Sequence, residues 1–347
     1  MCRPPFVYMF VLFLSWMVYV KSDTECPVAV VPLGDRRENK NRIRLMQYNV
    51  EWLFVDYCSS ANCPGNGCTW HTEADAATHM DYVANVVYTL NPDILNLCEV
   101  EGCDELSMLS EKVGTKEYNM YLKRGTDTAT GQNVGLLAKI DPAVDLYRSE
   151  EKVEYPIPGS TCGYVGAPAT TSLSKHYITE YGILGMKVAL IGVHLIAIPT
   201  DVKRCSQREA QAQIIQNIVY EYIRQGYEVI VMGDMNDYDA DILDINSDIP
   251  LSSALSIIKG ARGQHSGAYN LTNVAYRIEQ AERYSDWYDS DNNCDTSSLR
   301  DYSMIDHILV TPAVNKKIAD AYIFHGYKEY CGKWNSDHYP VVIDFMV

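Results

Sequence analysis

Apolar positions recur along this chain in short runs that end in polar residues. The first run, Phe6–Val20, is unbroken and follows a single basic residue, Arg3. Arg42–Val50 (RIRLMQYNV) starts with alternating charged and apolar positions and closes apolar, which predicts a strand. From Thr72 to Leu90 the residues Ala76, Met80, Val83, Val87 and Leu90 form one helical stripe, with Thr72 as its cap. Pro92 stops that helix, and Asp93–Val100 (DILNLCEV) predicts the next strand. Glu105–Lys112 reads as a helix, and Tyr118–Lys123 and Val134–Ala138 as short strands joined by the polar stretch Arg124–Asn133. Lys152–Thr171, rich in Pro, Gly and Ser, predicts a long surface loop. Strands follow at Tyr177–Gly182 and Met186–His194, then a helix over Arg208–Gln225 with Ala212, Ile215, Ile218 and Tyr222 at helical spacing. Val229–Met232 is apolar on both faces, as an interior strand should be. A helix near Ser253–Lys259, a polar Asp-rich stretch at Ser285–Asp301 and closing strands at Asp306–Thr311 and Tyr339–Val347 complete the pattern. Neither a repeat nor a linker between two cores is evident, so 42–347 is expected to form one α/β domain behind a loose leader at 23–41.

Composition changes this picture mainly at the start of the chain. Phe6–Val20 suits a signal-peptide core and is short for a bilayer span, and Val20-x-Ser22 offers small residues for cleavage. Residues 1–22 are therefore expected to be a secretory signal, with an uncleaved anchor as the alternative, and the mature protein to be extracellular. Of the 11 cysteines, Cys2 leaves with the signal, and an even remainder in an oxidising compartment predicts disulfides. Cys58, Cys63 and Cys68 with His71 nearby fit no common zinc spacing. Asn270-Leu271-Thr272 is an N-glycosylation sequon. Losing Arg3 and Lys21 from 29 basic residues leaves 27 against 45 acidic, a net charge of −18. Such a field repels polyanions at long range and argues against tight, sequence-independent nucleic-acid binding, though a divalent metal would offset it locally.

Candidate chemistry sits where the strands end. Asn49 with Glu51, Glu99, His194, Asp234 with Asn236, Ser303 to His307, and Ser336-Asp337-His338 all lie at or just past predicted strand termini. In VIVMGDMN (Val229–Asn236), Gly233 permits a close backbone approach, and Asp234 and Asn236 project to one side if the chain stays extended. Polar strand ends converge on one face of a layered sheet, which is how such folds build a site. Carboxylates and amides suit a hard divalent cation, and histidines beside aspartates suit proton transfer. Ser285–Asp301 could pass for a calcium loop but lacks the usual Gly and terminal Glu, so it reads as a solvated loop.

The ordered set NVEW, EVE, GVHL, GDMND, SMIDHILV and NSDHYPV is similar to the endonuclease/exonuclease/phosphatase superfamily, which includes pancreatic-type deoxyribonuclease, exonuclease III-like repair nucleases, neutral sphingomyelinase and inositol polyphosphate phosphatases. The resemblance spans roughly Ile43 to Val347. It implies a four-layered α/β sandwich, two central mixed β-sheets flanked by helices, with the site at one edge. By position, Glu99 matches the principal metal-binding glutamate, Asn49 and Glu51 match residues that position metal or phosphate, and Asp337 matches a further acidic residue of the metal site. Asp234 and Asn236 match the pair that orients the nucleophile and contacts phosphate. His338, paired with Asp306, would take the proton from water or stabilise charge on the phosphate. His194 matches a second histidine, a candidate acid for the leaving oxygen that also contacts substrate. No residue matches the carboxylate that supports this histidine in the deoxyribonuclease branch.

The cofactor implied is a divalent metal, magnesium first, with calcium or manganese as alternatives. Met304-Ile305-Asp306-His307 stands where inositol phosphatases carry Trp-Cys-Asp-Arg, which argues against that branch. A secreted, disulfide-rich member fits an extracellular nuclease acting on DNA or RNA as a monomer without a stable protein partner. The alternatives are a sphingomyelinase-type phospholipid phosphodiesterase and a catalytically silent secreted binding protein. Trp287, Tyr288 and Trp334 are candidates for base stacking or lipid contact, with at least one of them expected to pack into the core. His307 is expected to face away from the site, and Arg208 and Glu209 to form a surface pair, with contact to the site as the alternative.

Overall fold

A computed structural model describes residues 26, 34–55, 70, 72–114, 117–291, 293–327 and 335–347. The expected signal peptide, most of the leader, the Cys58–Cys68 insert with His71, and Trp334 lie outside the described residues. In chain order the elements are β1 (Arg42–Leu53), α1 (Glu73–Leu90), β2 (Ile94–Val100), α2 (Cys103–Val113), β3 (Asn119–Leu122) and β4 (Asn133–Ala138). The short pair β5 (Lys152–Tyr155) and β6 (Ala169–Ser172) precedes β7 (Lys175–Ile183), β8 (Met186–His194), α3 (Val202–Arg224) and β9 (Glu228–Asp234). Then come α4 (Ala254–Ile258), β10 (Thr272–Asn273), β11 (Asp286–Trp287), β12 (Tyr302–Ser303) and β13 (Asp306–Val310). The chain closes with α5 (Pro312–Asn315), β14 (Ile318–Ile323) and β15 (Val341–Met346).

The strands form a six-stranded sheet, β14-β15-β1-β2-β4-β3, and a five-stranded sheet, β10-β13-β9-β8-β7. Both are mixed: β1–β2 and β8–β9 run parallel, and their neighbours antiparallel. Side-chain alternation then produces the layers. On β1, Met46, Tyr48 and Val50 pack with Met80, Val83 and Val87 of α1 and with α2. On β9, Val229 and Val231 pack with Ile214, Ile215 and Val219 of α3 and with α4. The opposite faces, Ile43 and Leu45, Ile94, Val188 and Leu190, Ile230 and Met232, Ile308 and Val310, meet in a core between the sheets. This is the four-layered sandwich with two central sheets flanked by helices.

The intersheet rows change character along their length. Continuing the same parity, β1 runs from Ile43 and Leu45 to Gln47 and Asn49, β8 from Val188 and Leu190 to Gly192 and His194, and β9 from Ile230 and Met232 to Asp234. The apolar core thus gives way to a polar end where these strands finish. Two glycines permit close approaches there, Gly192 between the layers and Gly233 between neighbouring strands of one sheet. A Cβ on Gly192 would lie 2.3 Å from Asn96 Oδ1, which reaches in from β2, and one on Gly233 (φ 156°) would lie 1.8 Å from the Val193 carbonyl oxygen. Gly233 is thus required by close approach, as its place in the sequence suggested.

Several expectations need correction. Lys152–Thr171 is not all loop: its ends zip into the β5–β6 hairpin, from Lys152↔Ser172 to Tyr155↔Ala169. Part of the stretch expected as a loose leader is tied down, with Asp35 bridging Ile140, Arg36 donating to Asp141 (2.7 Å) and Cys26 disulfide-bonded to Cys103. A second bridge joins Cys162 to Cys205, Cys294 is also disulfide-bonded, and Cys98 is a buried free thiol. Helix α3 starts earlier than expected because Asp201 caps it, accepting the Arg204 amide at 2.8 Å. Among the described residues no helix is long and apolar enough to cross a membrane.

Candidate active site

The polar ends of the intersheet rows face one another, and a local irregularity brings in the residue that parity alone would exclude. On β2, Ile94 and Cys98 face the intersheet core while Leu95 and Leu97 face the helices, so Glu99 falls on the helix side. A bulge corrects this. The registers of β2 with β4 and of β1 with β2 both slip at this point, and Glu99 adopts φ 70°. Bulges re-aim side chains in this way, and a left-handed non-glycine residue is a strained one. Glu99 Oε1 accepts the Asn49 amide (3.3 Å), and Oε2 accepts the Trp52 backbone amide (3.1 Å). Glu51 and Trp52 share the left-handed conformation, at φ 47° and 54°.

Asn49 is the hub. Its Nδ2 also donates to Asp234 Oδ2 (3.0 Å) and lies 3.4 Å from His338 Nε2, while its Oδ1 accepts the Glu51 amide (3.1 Å). Asp234 Oδ1 accepts the Asn236 amide at 2.8 Å. The chain does not stay extended there: Asn236 has φ 49°, and its side-chain amide donates to the Leu195 carbonyl (3.2 Å) instead of paralleling Asp234. The reason lies in the helix behind. Arg208 is fully buried, with Nε on Asp237 Oδ2 (3.0 Å) and its guanidinium on the carbonyls of Ile196, Ile198 and Pro199. Glu209 is buried too and accepts the Ser253 amide and hydroxyl at 2.9 and 2.7 Å. The expected surface pair is in fact a bracket that clamps the loops after β8 and β9.

One wall of the site is built around His338. Ser336 Oγ donates to the Asn49 carbonyl (2.7 Å) and accepts the His338 amide (3.0 Å), and the Asp337 amide donates to Glu51 Oε2 (3.1 Å). His338 Nδ1 donates to Asp306 Oδ2 at 2.7 Å, and Asp306 Oδ1 accepts Gln47 Nε2 at 2.9 Å. His338 Nε2 lies 3.5 Å from Asp286 Oδ1 and 3.9 Å from Asp337 Oδ1. Burial alone would discharge this ring, but Asp306, Asp286 and Asp337 outweigh it and hold His338 well above its ordinary value.

The other wall is built around His194, whose Nε2 lies 3.4 Å from Asp234 Oδ2, 3.9 Å from Glu99 Oε1 and 3.4 Å from Lys175 Nζ. Its Nδ1 is buried without a partner. Burial, then Lys175, then His338 push this imidazole well below its ordinary value. Lys175 faces His194 directly across the β7–β8 ladder, and its ammonium donates to Gln132 Oε1 at 3.1 Å. A cation therefore occupies the place where the sequence offered no carboxylate.

Burial and the nearby Asp306 push Asp234 up to about 7. Asp337 is raised well above the carboxylate range by burial, then by Glu51, and its Oδ1 has no hydrogen-bond partner although buried. An orphaned carboxylate oxygen among mutually repelling acids is what a bound divalent cation would relieve, and Glu51, Glu99 and Asp337 offer it hard carboxylate oxygens. The residues present therefore fit such an ion. Asp286, Asp337 and His338 also bring one ligand atom each within 4.8 Å of one another.

All nine residues singled out from the sequence, Asn49, Glu51, Glu99, His194, Asp234, Asn236, Asp306, Asp337 and His338, fall in this one network. Asp286 and Lys175 were missed. Asp286 lay inside the stretch read as a solvated loop, yet it is buried on β11 and bridges to His338. Lys175 sits two residues before the predicted strand at Tyr177, so the same parity would have found it. His307 faces away as expected, its Nε2 2.9 Å from the Asp237 carbonyl. Of the three aromatics, Trp287 is the one seen packed into the core (5% exposed), and Tyr288 is exposed (69%).

The comparisons agree with this fold. Residues 46–338 match the Endonuclease/Exonuclease/phosphatase family. The chain belongs to that family, whose members are typically divalent-metal-dependent phosphodiesterases or nucleases. No curated protein matches it by sequence. Among solved structures, a family protein from Leptotrichia buccalis is similar at 14% identity with a TM-score of 0.53, covering 88% of this chain and 100% of the other. A humanized D. rerio TDP2 is similar at 15% identity and a TM-score of 0.52, over 88% and 100%. TDP2 from Caenorhabditis elegans follows at 17% identity and a TM-score of 0.51, over 88% and 74%. At these identities the likeness shows the fold alone.

Proposed function

We propose that this chain is a secreted metal-dependent phosphodiesterase that cleaves nucleic acid. The observation that carries the reading is the pairing of two histidines in opposite electrostatic settings across Glu99 and Asp234. Glu99, Glu51 and Asp337 would hold the divalent ion, magnesium in the first instance, with Asn49 fixing their spacing. The ion would neutralise phosphate charge as the transition state forms. His338, kept protonated by Asp306 and Asp286, donates from Nε2 to a phosphate oxygen. Asp234, raised to about 7 and oriented by Asn49 and the Asn236 amide, accepts a proton from the attacking water near neutral pH. Asn236 contacts the phosphate. Lys175 and His194 face the leaving oxygen, the ammonium supplying charge and the imidazole a proton relay.

The net charge of −16 disfavours a resident polyanion and suits an enzyme that binds substrate only with a cation and releases it. Secretion rests on the apolar N-terminal run and is supported by the disulfides Cys26–Cys103 and Cys162–Cys205. The test offers purified mature protein DNA, RNA, sphingomyelin and bis-nitrophenyl phosphate, with magnesium and with chelator. Cleavage of nucleic acid that chelator stops and Glu99→Gln abolishes is expected. Activity on none of the four, or activity indifferent to chelator, overturns the enzyme reading, and cleavage of the lipid alone moves the substrate and keeps the chemistry.

A further inference from the structure

Three consecutive carbonyls at the end of β1 are taken by side chains. Ser336 Oγ donates to that of Asn49 (2.7 Å), His79 Nε2 to that of Val50 (2.6 Å) and Trp70 Nε1 to that of Glu51 (3.1 Å). A carbonyl oxygen only accepts, so Nε2 of His79 carries a proton. This is also where the β1–β2 ladder slips. Asn49↔Cys98 is followed by Leu53↔Val100, so three residues of β1 stand against Glu99 alone. Two of those three, Glu51 and Trp52, are left-handed. Side chains of their size hold that conformation only where the surroundings over-determine it.

The two donors that come from outside the strand ends are themselves fixed. Trp70 and His79 are 2% and 1% exposed, and their rings stack at 22° with centroids 4.1 Å apart. His79 lies on α1 next to Met80, which packs with β1. A leucine would serve that packing. A buried imidazole is costly unless its polar atoms are used, and the Val50 carbonyl uses Nε2. The turn held in this way carries the carboxylates. Glu51 Oε2 accepts the Asp337 amide at 3.1 Å, and the Trp52 amide donates to Glu99 Oε2 at 3.1 Å. Glu51, Asp337 and Glu99 are therefore all tied to one strained turn.

We propose that Trp70 and His79 are positioning residues of the metal site: by taking the carbonyls of Glu51 and Val50 they hold the Glu51–Trp52 turn in the conformation that groups the three carboxylates. The inference rests on the metal reading of the candidate active site. Neither residue meets the ion or the substrate. Each acts through the backbone, and its loss lets the turn relax out of the left-handed region and the carboxylates spread.

The test reads metal uptake apart from catalysis. Magnesium is titrated calorimetrically into the full mature chain and its variants, with thermal unfolding followed alongside. Trp70→Phe keeps an aromatic ring on His79 and removes the indole donor. It should weaken magnesium binding by about 10–100-fold, the range for groups that orient metal ligands. His79→Leu should do the same, whereas His79→Gln, whose amide nitrogen can stand where Nε2 does, should restore most of the affinity. Met80→Ala loosens the same helix without removing a donor, so it should lower the unfolding temperature and leave the affinity unchanged. Trp70→Phe and His79→Leu chains that bind magnesium as the parent does overturn the proposal. So does an equal loss of affinity in Met80→Ala, which would make the effect one of general stability. A parent chain that takes up no magnesium overturns the metal reading itself, and this inference with it.

Discussion

The two walls of the candidate active site hold the same side chain in opposite states. His338 is ringed by Asp306, Asp286 and Asp337 and is pushed up, whereas His194 faces Lys175 and is pushed down. Both rings are buried, so burial does not explain the difference. The charged groups do: at His338 three carboxylates outweigh burial, whereas at His194 Lys175 and His338 add to it. Titratable groups whose surroundings drive them apart mark separate acid and base roles, and here each wall takes one.

The contrast is most strongly tested by removing what maintains the His338 wall. Asp306→Asn keeps the hydrogen-bonding shape but deletes the charge that holds His338 protonated. It should cost about 10³-fold in kcat, within the range of positioned acid–base groups, with KM little changed; steady-state kinetics checks this. A loss below tenfold would show that Asp286 alone sustains the wall.

Lys175→Met on the other wall should have a smaller effect, a fall in kcat/KM of about 10–100-fold. Without the ammonium, His194 titrates at higher pH, so the acid limb of the pH–rate profile moves toward neutrality. An unmoved limb would mean that burial, and not Lys175, sets the state of His194.

The smallest effect concerns His176, the neighbour of Lys175 on the opposite face of β7. It is a buried histidine with no part in the site, its Nε2 accepting the Ser149 amide at 2.9 Å. Burial, then Arg148, push it down to about 3 from the ordinary 6.5. Between those values the unfolded chain binds a proton there that the folded chain refuses. Its contribution to stability is therefore complete above pH 6.5 and declines as pH falls toward 3, by at most about 1.4 kcal/mol per pH unit. Asp234 and Asp286, raised to about 7 and about 6, work in the opposite direction, so the informative quantity is a difference. Denaturant titrations at pH 6.5 and 4.5 should show His176→Asn losing less stability on acidification than the parent chain.

The layers were legible because alternation is a local property. The even positions of β1 (Met46, Tyr48, Val50) and the odd positions of β9 (Val229, Val231) report their helix-facing sides without knowledge of their partners. Site residues at strand ends were legible for the same reason. What escaped was nonlocal. Glu99 was singled out by its place at a strand end, but the bulge that reverses its parity and turns it into the site is announced by no pattern within β2. Asp286 is buried by a chain end that arrives some fifty residues later, at His338, so its neighbourhood in sequence looked merely polar. Arg208 and Glu209 resemble a solvated helical pair until the loops that wrap them are known. Which of Trp287 and Tyr288 packs inside is decided by the hairpin and not by the local sequence.

Cys98 gives the intersheet core an internal clock. Among the described residues it is the free thiol, fully buried between Gln47 and the Val193 carbonyl, and burial suppresses its ionisation. Reagents attack thiolates, and none reaches this sulfur while the sheets are closed. When alkylation outpaces reclosing, the rate at which Cys98 is modified is the rate at which the two sheets part, recorded at the residue next to Glu99.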